Sequence, residues 1–252
     1  MLISPSGLLA ASPSPATASS VEQWVNCLKA NLPQRSVLTL KTRTFDARGE
    51  VSSRSLTLYS QRSEARQQAT VQITAPHDLA GTAYLLQKHN GQELTLSYLP
   101  ALGRVQRISG ERNGPLLDTT ISTSDVRHVL NGFADGSLLI GKAGQVNDWP
   151  TRRIFITAPP GESSDYDKIE LEVADPQCVV VEARFYARNR LLKTITAAPG
   201  SLVRQGAYHY ARKLKVVAPK DPLYTELEIT GYQADIEIDS SRFDPHSFFR
   251  GR

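Results

Sequence analysis

The chain has 252 residues, with 29 Lys and Arg against 25 Asp and Glu for a formal charge of +4. Its basic residues are scattered rather than gathered into a stripe, which excludes a nucleic-acid footprint. At 40% hydrophobic and 21% charged residues it has the composition of a globular protein, and no stretch approaches the roughly 20 consecutive apolar residues of a membrane span.

Residues 1–18 carry no charge, contain Leu8, Leu9, Ala10 and Ala11, and end in Ala16-Thr17-Ala18, the small-x-small pattern that a signal peptidase accepts. A signal peptide over 1–18 and a single domain over 19–252 are expected, and with them export. The missing basic n-region and Pro5, Pro13 and Pro15 leave two alternatives, a leader that starts further upstream or a flexible tail. Cys27 and Cys178 are the only cysteines. In an exported chain such a pair suggests one disulfide, whereas in a cytosolic chain it would be two buried thiols.

Ser19 and Ser20 precede Val21, Trp24, Val25 and Leu28, a three-and-four spacing closed by Pro33, which predicts a capped amphipathic helix over about 20–31. The period then changes to two. Residues 37–44 and 53–59 alternate around the turn Asp46-Ala47-Arg48-Gly49, a β-hairpin. Strands follow at 70–73, 82–87, 93–98 and 104–108. Thr123 or Ser124 is placed to cap a second helix near 124–132, with Val126, Val129, Leu130 and Phe133 on one side and Gly132 at its end. Further strands are expected at 153–156, 168–173, 179–186, 191–195, 208–217 and 225–238. A dozen or so strands without helix-length crossovers make an antiparallel sheet, and their alternation gives each one apolar face. The expected fold is mainly β: a curved antiparallel sheet forming an incomplete β-barrel, with helices covering the concave apolar face.

Chemistry is hard to find. Gly136-Ser137-Leu138-Leu139-Ile140-Gly141-Lys142-Ala143 approaches a phosphate-binding loop, but Ala143 stands where a hydroxyl must reach magnesium. Asp165, Asp167, Glu170 and Glu172 offer carboxylates for a metal, yet Asp165 and Asp167 follow an exposed-loop sequence and the glutamates alternate onto the expected solvent face of a strand. His77, His89, His128, His209 and His246 occur singly, and no Gly-x-Ser-x-Gly elbow is present. No enzyme activity, cofactor or metal is expected.

Three stretches carry a family resemblance: Leu79-Ala80-Gly81-Thr82-Ala83-Tyr84-Leu85-Leu86, Tyr98-Leu99-Pro100-Ala101-Leu102-Gly103-Arg104-Val105-Gln106-Arg107-Ile108-Ser109-Gly110, and Arg152 to Val173. Together they resemble the outer-membrane lipoprotein-sorting family, a branch of the LolA-like superfamily of periplasmic carriers. The likeness runs from about Leu38 to the Ile238-Asp239-Ser240-Ser241-Arg242-Phe243 segment. It implies an incomplete β-barrel that accepts lipid acyl chains and works with inner-membrane exporters of the resistance-nodulation-division type. One stretch departs from the family: Leu117-Asp118-Thr119-Thr120-Ile121-Ser122-Thr123-Ser124-Asp125 lacks the aromatic residues usual there.

The expected function is a periplasmic carrier for a lipid, lipoprotein acyl chains or another hydrophobic ligand. Its apolar wall is assigned to Leu38, Leu40, Leu56, Leu58, Val71, Ile73, Leu94, Leu96, Tyr98, Ile154, Ile156 and Leu171, residues that would otherwise form a packed core. Arg104 and Arg107 are the candidate rim for a lipid phosphate, or simply solvated arginines of one strand. The alternative function is a periplasmic sensor or scaffold that binds a protein segment by strand addition.

Overall fold

The computed structural model describes residues 15–63, 65–108, 119–133, 136–158 and 166–250. Residues 1–14, Leu117, Asp118 and Asp165 lie outside that set, as do Ser109 and Gly110.

Six strands run in meander order: β1 (Arg35–Asp46), β2 (Gly49–Arg62), β3 (Arg66–Ala75), β4 (Ala83–His89), β5 (Gln92–Leu99) and β6 (Arg104–Arg107). The second arm comprises β7 (Ser137–Val146), β8 (Trp149–Thr157), β9 (Lys168–Ala174), β10 (Val179–Ala187), β11 (Arg190–Ala197), β14 (Lys213–Val217) and β15 (Tyr224–Ala234). Between β11 and β14 a small hairpin, β12 (Leu202–Gln205) and β13 (Tyr208–Ala211), forms its own two-stranded sheet. The order β6-β5-β4-β3-β2-β1-β15-β14-β11-β10-β9-β8-β7 makes one 13-stranded sheet. It does not close, and β6 and β7 are its edges. The two arms join through β1 and β15, paired as Leu38↔Tyr232, Leu40↔Ile229 and Thr42↔Leu227.

The helix α1 spans Pro15–Ala30, so Ser19 and Ser20 lie inside it rather than capping it. The second helix, α2, spans Thr123–Leu130, and its cap is Ser122, one residue before the expected pair. The Ser122 hydroxyl accepts from the Asp125 N–H while the Asp125 carboxylate accepts from the Ser122 N–H, a capping box. Gly132 follows with φ +63°, and a Cβ there would lie 2.6 Å from Leu32 Cδ1. Glycine thus lets the end of α2 abut the residues just after α1.

The near-P-loop is strand β7, paired with β8 as Leu138↔Ile156 and Ile140↔Ile154. A Cβ on Gly141 would meet the Phe155 ring at 2.9 Å, so packing against an aromatic ring accounts for this glycine. β7 and β12 were not expected from alternation, and the expected 208–217 strand is split at Arg212 into β13 and β14.

Cys27 and Cys178 form a disulfide across a sequence separation of 151 residues, with Cα atoms 5.2 Å apart. Closing so long a loop restricts the unfolded chain and contributes about 2–4 kcal/mol. Beside it the Asn31 amide donates to Gln177 O at 2.7 Å and to Cys178 O at 3.0 Å, and its oxygen accepts from His209 N at 2.7 Å. One side chain therefore ties the end of α1 to the β9–β10 turn and the β12–β13 hairpin.

Candidate ligand-binding hollow

Register decides which apolar residues share a face. Leu40↔Leu56, Leu56↔Ile73 and Leu58↔Val71 place these side chains on the same face of the sheet as Leu227 and Ile229 across β1. They enclose a hollow with two lobes. The first, about 240 Å³, is lined by Leu38, Leu58, Val181, Ile195, Leu214 and Ile229 with Leu28 and Leu32. The second, about 180 Å³, is lined by Leu40, Leu56, Val71, Ile73, Tyr84, Val216 and Leu227. Leu38, Leu58, Val129 and Leu130 line both. Val129 of α2 stays 49% exposed while doing so, an apolar surface in a concavity that costs about 25 cal/mol per Å² when wet.

The mouth of the first lobe is polar. Ser36, Ser60, Gln67, His209, Tyr210 and Tyr232 line it beside Arg62. Ser36 and Ser60 hydroxyls lie 2.6 Å apart, and the Tyr210 and Tyr232 rings stack at 4.6 Å. Arg62 Nε donates to Pro33 O at 3.0 Å and its Nη2 to Leu32 O, so the guanidinium satisfies carbonyls of the turn that follows α1. Burial lowers the Arg62 pKa, partly offset by the negative field of Tyr208 and Asp235. Burial also pushes the Tyr232 hydroxyl well above the usual tyrosine range. Tyr208 donates to Asp235 at 2.5 Å, and that bond raises its pKa.

At the far side of the second lobe, α2 is held by buried charge. Asp125 Oδ2 accepts from Lys193 Nζ at 2.5 Å, and Oδ1 accepts from the Tyr166 hydroxyl at 2.9 Å. Arg127, two residues on, pairs with Glu93 of β5 at 2.9 Å. The eight-residue helix is thereby bound to both arms of the sheet.

The structure divides the twelve expected wall residues into three groups. Leu38, Leu40, Leu56, Leu58, Val71 and Ile73 line the hollow. Ile154, Ile156 and Leu171 do not line it: they are at most 2% exposed, in a packed core with Trp24 and Leu28 of α1, Tyr166 and Phe185. Leu94, Leu96 and Tyr98 are on the opposite face. Val71↔Tyr84 and Tyr84↔Ser97 put Ser97 on the hollow side, so its neighbours Leu96 and Tyr98 point away. There they pack with Ala83, Leu85, Phe248 and Phe249. The expected rim residues are also elsewhere. Arg104 is exposed on edge strand β6, and Arg107 lines a polar groove on the outer face with Gln87, His89 and Asp244.

Glu172, expected on a solvent face, is 3% exposed and bonds Thr151 Oγ1 at 2.7 Å and Arg153 Nε at 2.6 Å. Glu170 accepts from Lys168 at 3.0 Å and Tyr186 at 3.2 Å, and Asp167 accepts from Arg188 N. These carboxylates serve strand pairing, and among the described residues no three metal-type ligands come together. Arg62, Tyr210, Tyr232 and the Asp125–Lys193 pair escaped sequence reasoning. The Ser122-x-x-Asp125 spacing was the one available signal, a variant of the capping-box pattern.

An open antiparallel sheet holding an apolar hollow, with its long first and last strands paired in the middle, is the LolA-like fold. Solved structures of other proteins share it. A DUF1329 family protein from Desulfovibrio piger superposes with a TM-score of 0.83 at 18% identity, covering 93% of this chain and 99% of its own. A putative outer membrane lipoprotein-sorting protein domain from Vibrio parahaemolyticus gives 0.79 at 22%, over 90% and 97%. A LolA superfamily protein from Nitrosomonas europaea gives 0.69 at 18%, over 90% and 97%. A family model described as “Uncharacterized protein” matches residues 65–250, and the chain belongs to that family. No curated protein matches the sequence. Among the described residues no helix is long and apolar enough to cross a membrane.

Proposed function

We propose that this protein is a non-enzymatic periplasmic carrier whose hollow takes up the chain of a lipid or the acyl chains of a lipoprotein. The observation that carries the reading is the hollow itself: two adjoining lobes walled by leucine, isoleucine and valine from β1, β2, β3, β11, β14 and β15. Ligand sites are concavities of this kind, apolar with a few polar groups at one end. α1 and α2 serve as the cover of the concave face, and a resistance-nodulation-division exporter is the partner that the family resemblance supplies.

Ile73→Glu tests the wall. Ile73 is 2% exposed and lines the second lobe, so a carboxylate there is expected to weaken binding of a fluorescent fatty-acid probe at least about tenfold. Circular dichroism must show the variant folded. An unfolded Ile73→Glu protein would make this residue packed core, and a wild type that neither binds the probe nor carries lipid out of the periplasm would end the carrier reading.

Residues 1–18 act in this reading as the export signal, leaving a mature chain that begins at Ser19. Intact mass of the unreduced periplasmic protein reports both expectations at once: loss of residues 1–18, and the two hydrogens missing from the Cys27–Cys178 bond. Retention of the leader in cytoplasmic material would rule out export.

A second reading rests on β7. This ten-residue strand is an edge of the sheet, and its Leu139 is 63% exposed. Edge strands accept a further strand, so a sensor or scaffold that binds a protein segment would do so here. Such a protein would purify with a stable polypeptide partner and without lipid.

A further inference from the structure

The first lobe ends at a mouth whose lining side chains include one permanent charge, Arg62. Its surroundings there are Ser36, Ser60, Gln67, Tyr210 and Tyr232, all able to donate a hydrogen bond and none negatively charged. Arg62 directs Nε and Nη2 at the carbonyls of Pro33, Leu32 and Lys29, which are neutral acceptors. Among the described residues no carboxylate lies within ion-pair distance of it. Asp235 acts on it only from further off, while its own carboxylate is engaged by Tyr208 at 2.5 Å and the Gln34 N–H at 3.3 Å.

We infer that Arg62 makes this mouth a receptor for the anionic head group of an amphiphile, a carboxylate or phosphate monoester whose chain lies in the apolar lobes. The inference rests on the carrier reading and adds the charge of the cargo to it. Among the described residues this partly buried guanidinium has no carboxylate in contact with it, and an anion at the mouth would supply one. Nη1 makes none of the bonds directed at the helix end, so a donor remains for a head group while the others hold α1. Neutral donors around it, led by the Tyr210 and Tyr232 hydroxyls, suit the remaining lone pairs of an oxyanion. The aliphatic walls directly beneath accept the chain. Arg104 and Arg107 cannot fill this role, since neither borders the hollow.

The test varies the ligand before the protein. Dodecanoate, dodecyl phosphate, methyl dodecanoate and dodecanol share one chain and differ in head charge, and each can displace a fluorescent probe from the wild type. The two anions are expected to bind about tenfold or more tightly than the ester and the alcohol, the size of a charge-assisted hydrogen bond. Their advantage should shrink as salt rises, while the neutral ligands hold steady. Dodecanoate against dodecyl phosphate then tells which oxyanion is preferred. Arg62→Gln, confirmed folded by its thermal transition, should erase the difference between acid and ester, and Arg62→Lys should keep part of it. Equal binding of acid and ester by the wild type, or tighter binding of the ester, overturns the anionic head while leaving the hollow. Failure of all four ligands to bind removes the carrier reading itself.

Discussion

Asp125→Ala is expected to destabilise the protein by about 3–5 kcal/mol, the cost of removing one partner from a buried ion pair. Asp125 is 2% exposed and Lys193 8%, so neither charge has water to fall back on. The carboxylate accepts from the Ser122 N–H at 2.8 Å, Lys193 Nζ at 2.5 Å and the Tyr166 hydroxyl at 2.9 Å. Alanine would strip α2 of its capping box and leave the Lys193 ammonium without its ion-pair partner in an apolar setting. Removing both charges should be gentler: Asp125→Leu with Lys193→Met exchanges the ion pair for apolar volume and is expected to recover a large part of the loss. Denaturant unfolding of wild type, Asp125→Leu, Lys193→Met and the double variant gives the coupling directly. A loss below about 1 kcal/mol for Asp125→Ala would mean that the pair contributes no more than a surface contact. Because α2 also contributes Val129 and Leu130 to both lobes, probe binding should fall along with stability.

Alternation made the sheet legible and left its faces unassigned. Leu94-Thr95-Leu96-Ser97-Tyr98 has the same period as Leu38-Thr39-Leu40, yet the leucines of β5 face away from the hollow and those of β1 face into it. A period of two says that a strand has two faces, and only register says which face is shared. The registers come from long-range pairing, β1 with β15 above all, which no local pattern encodes. One local clue was present. Ala83-Tyr84-Leu85-Leu86 is apolar without alternation, and every residue of it is buried, as expected of a strand covered on both faces. The hydrophobic run thus announced a second layer over β4. The cover proved to be the C-terminal segment, whose Phe243, Phe248 and Phe249 show no helical or strand period. The mouth of the hollow was illegible for a related reason. Arg62 ends β2, Tyr210 lies in β13 and Tyr232 in β15, and chain topology alone brings them together. In contrast, the Cys27–Cys178 pairing needed no topology, because with two cysteines in the chain only one intrachain bond is possible.

Phe248→Ala should cost about 3–5 kcal/mol, the usual range for emptying a fully buried phenylalanine site. Phe248 is 0% exposed and packs against Ala83, Leu85 and Leu96 on the outer face of β4 and β5, with Phe249 stacked on Tyr98 at 3.9 Å between centroids. Polar bonds lay the segment along the sheet: the Gln87 amide donates to Phe243 O at 2.7 Å, Arg242 Nη1 donates to Gln72 at 3.1 Å, and the Thr70 hydroxyl donates to Arg242 O. The side chain therefore helps to secure a strap across β3, β4 and β5, and alanine would leave a cavity between the strap and the sheet. Leu96→Glu attacks the same layer from the sheet side and should be as damaging, since the carboxylate would be buried among aromatic rings. The contrast with Ile73→Glu locates the two apolar faces. The outer substitutions should lower the unfolding midpoint while leaving probe affinity of the folded fraction unchanged, and the inner one should lower affinity in a folded protein. Should Phe248→Ala instead abolish probe binding at full stability, the ligand would sit under the strap rather than in the hollow.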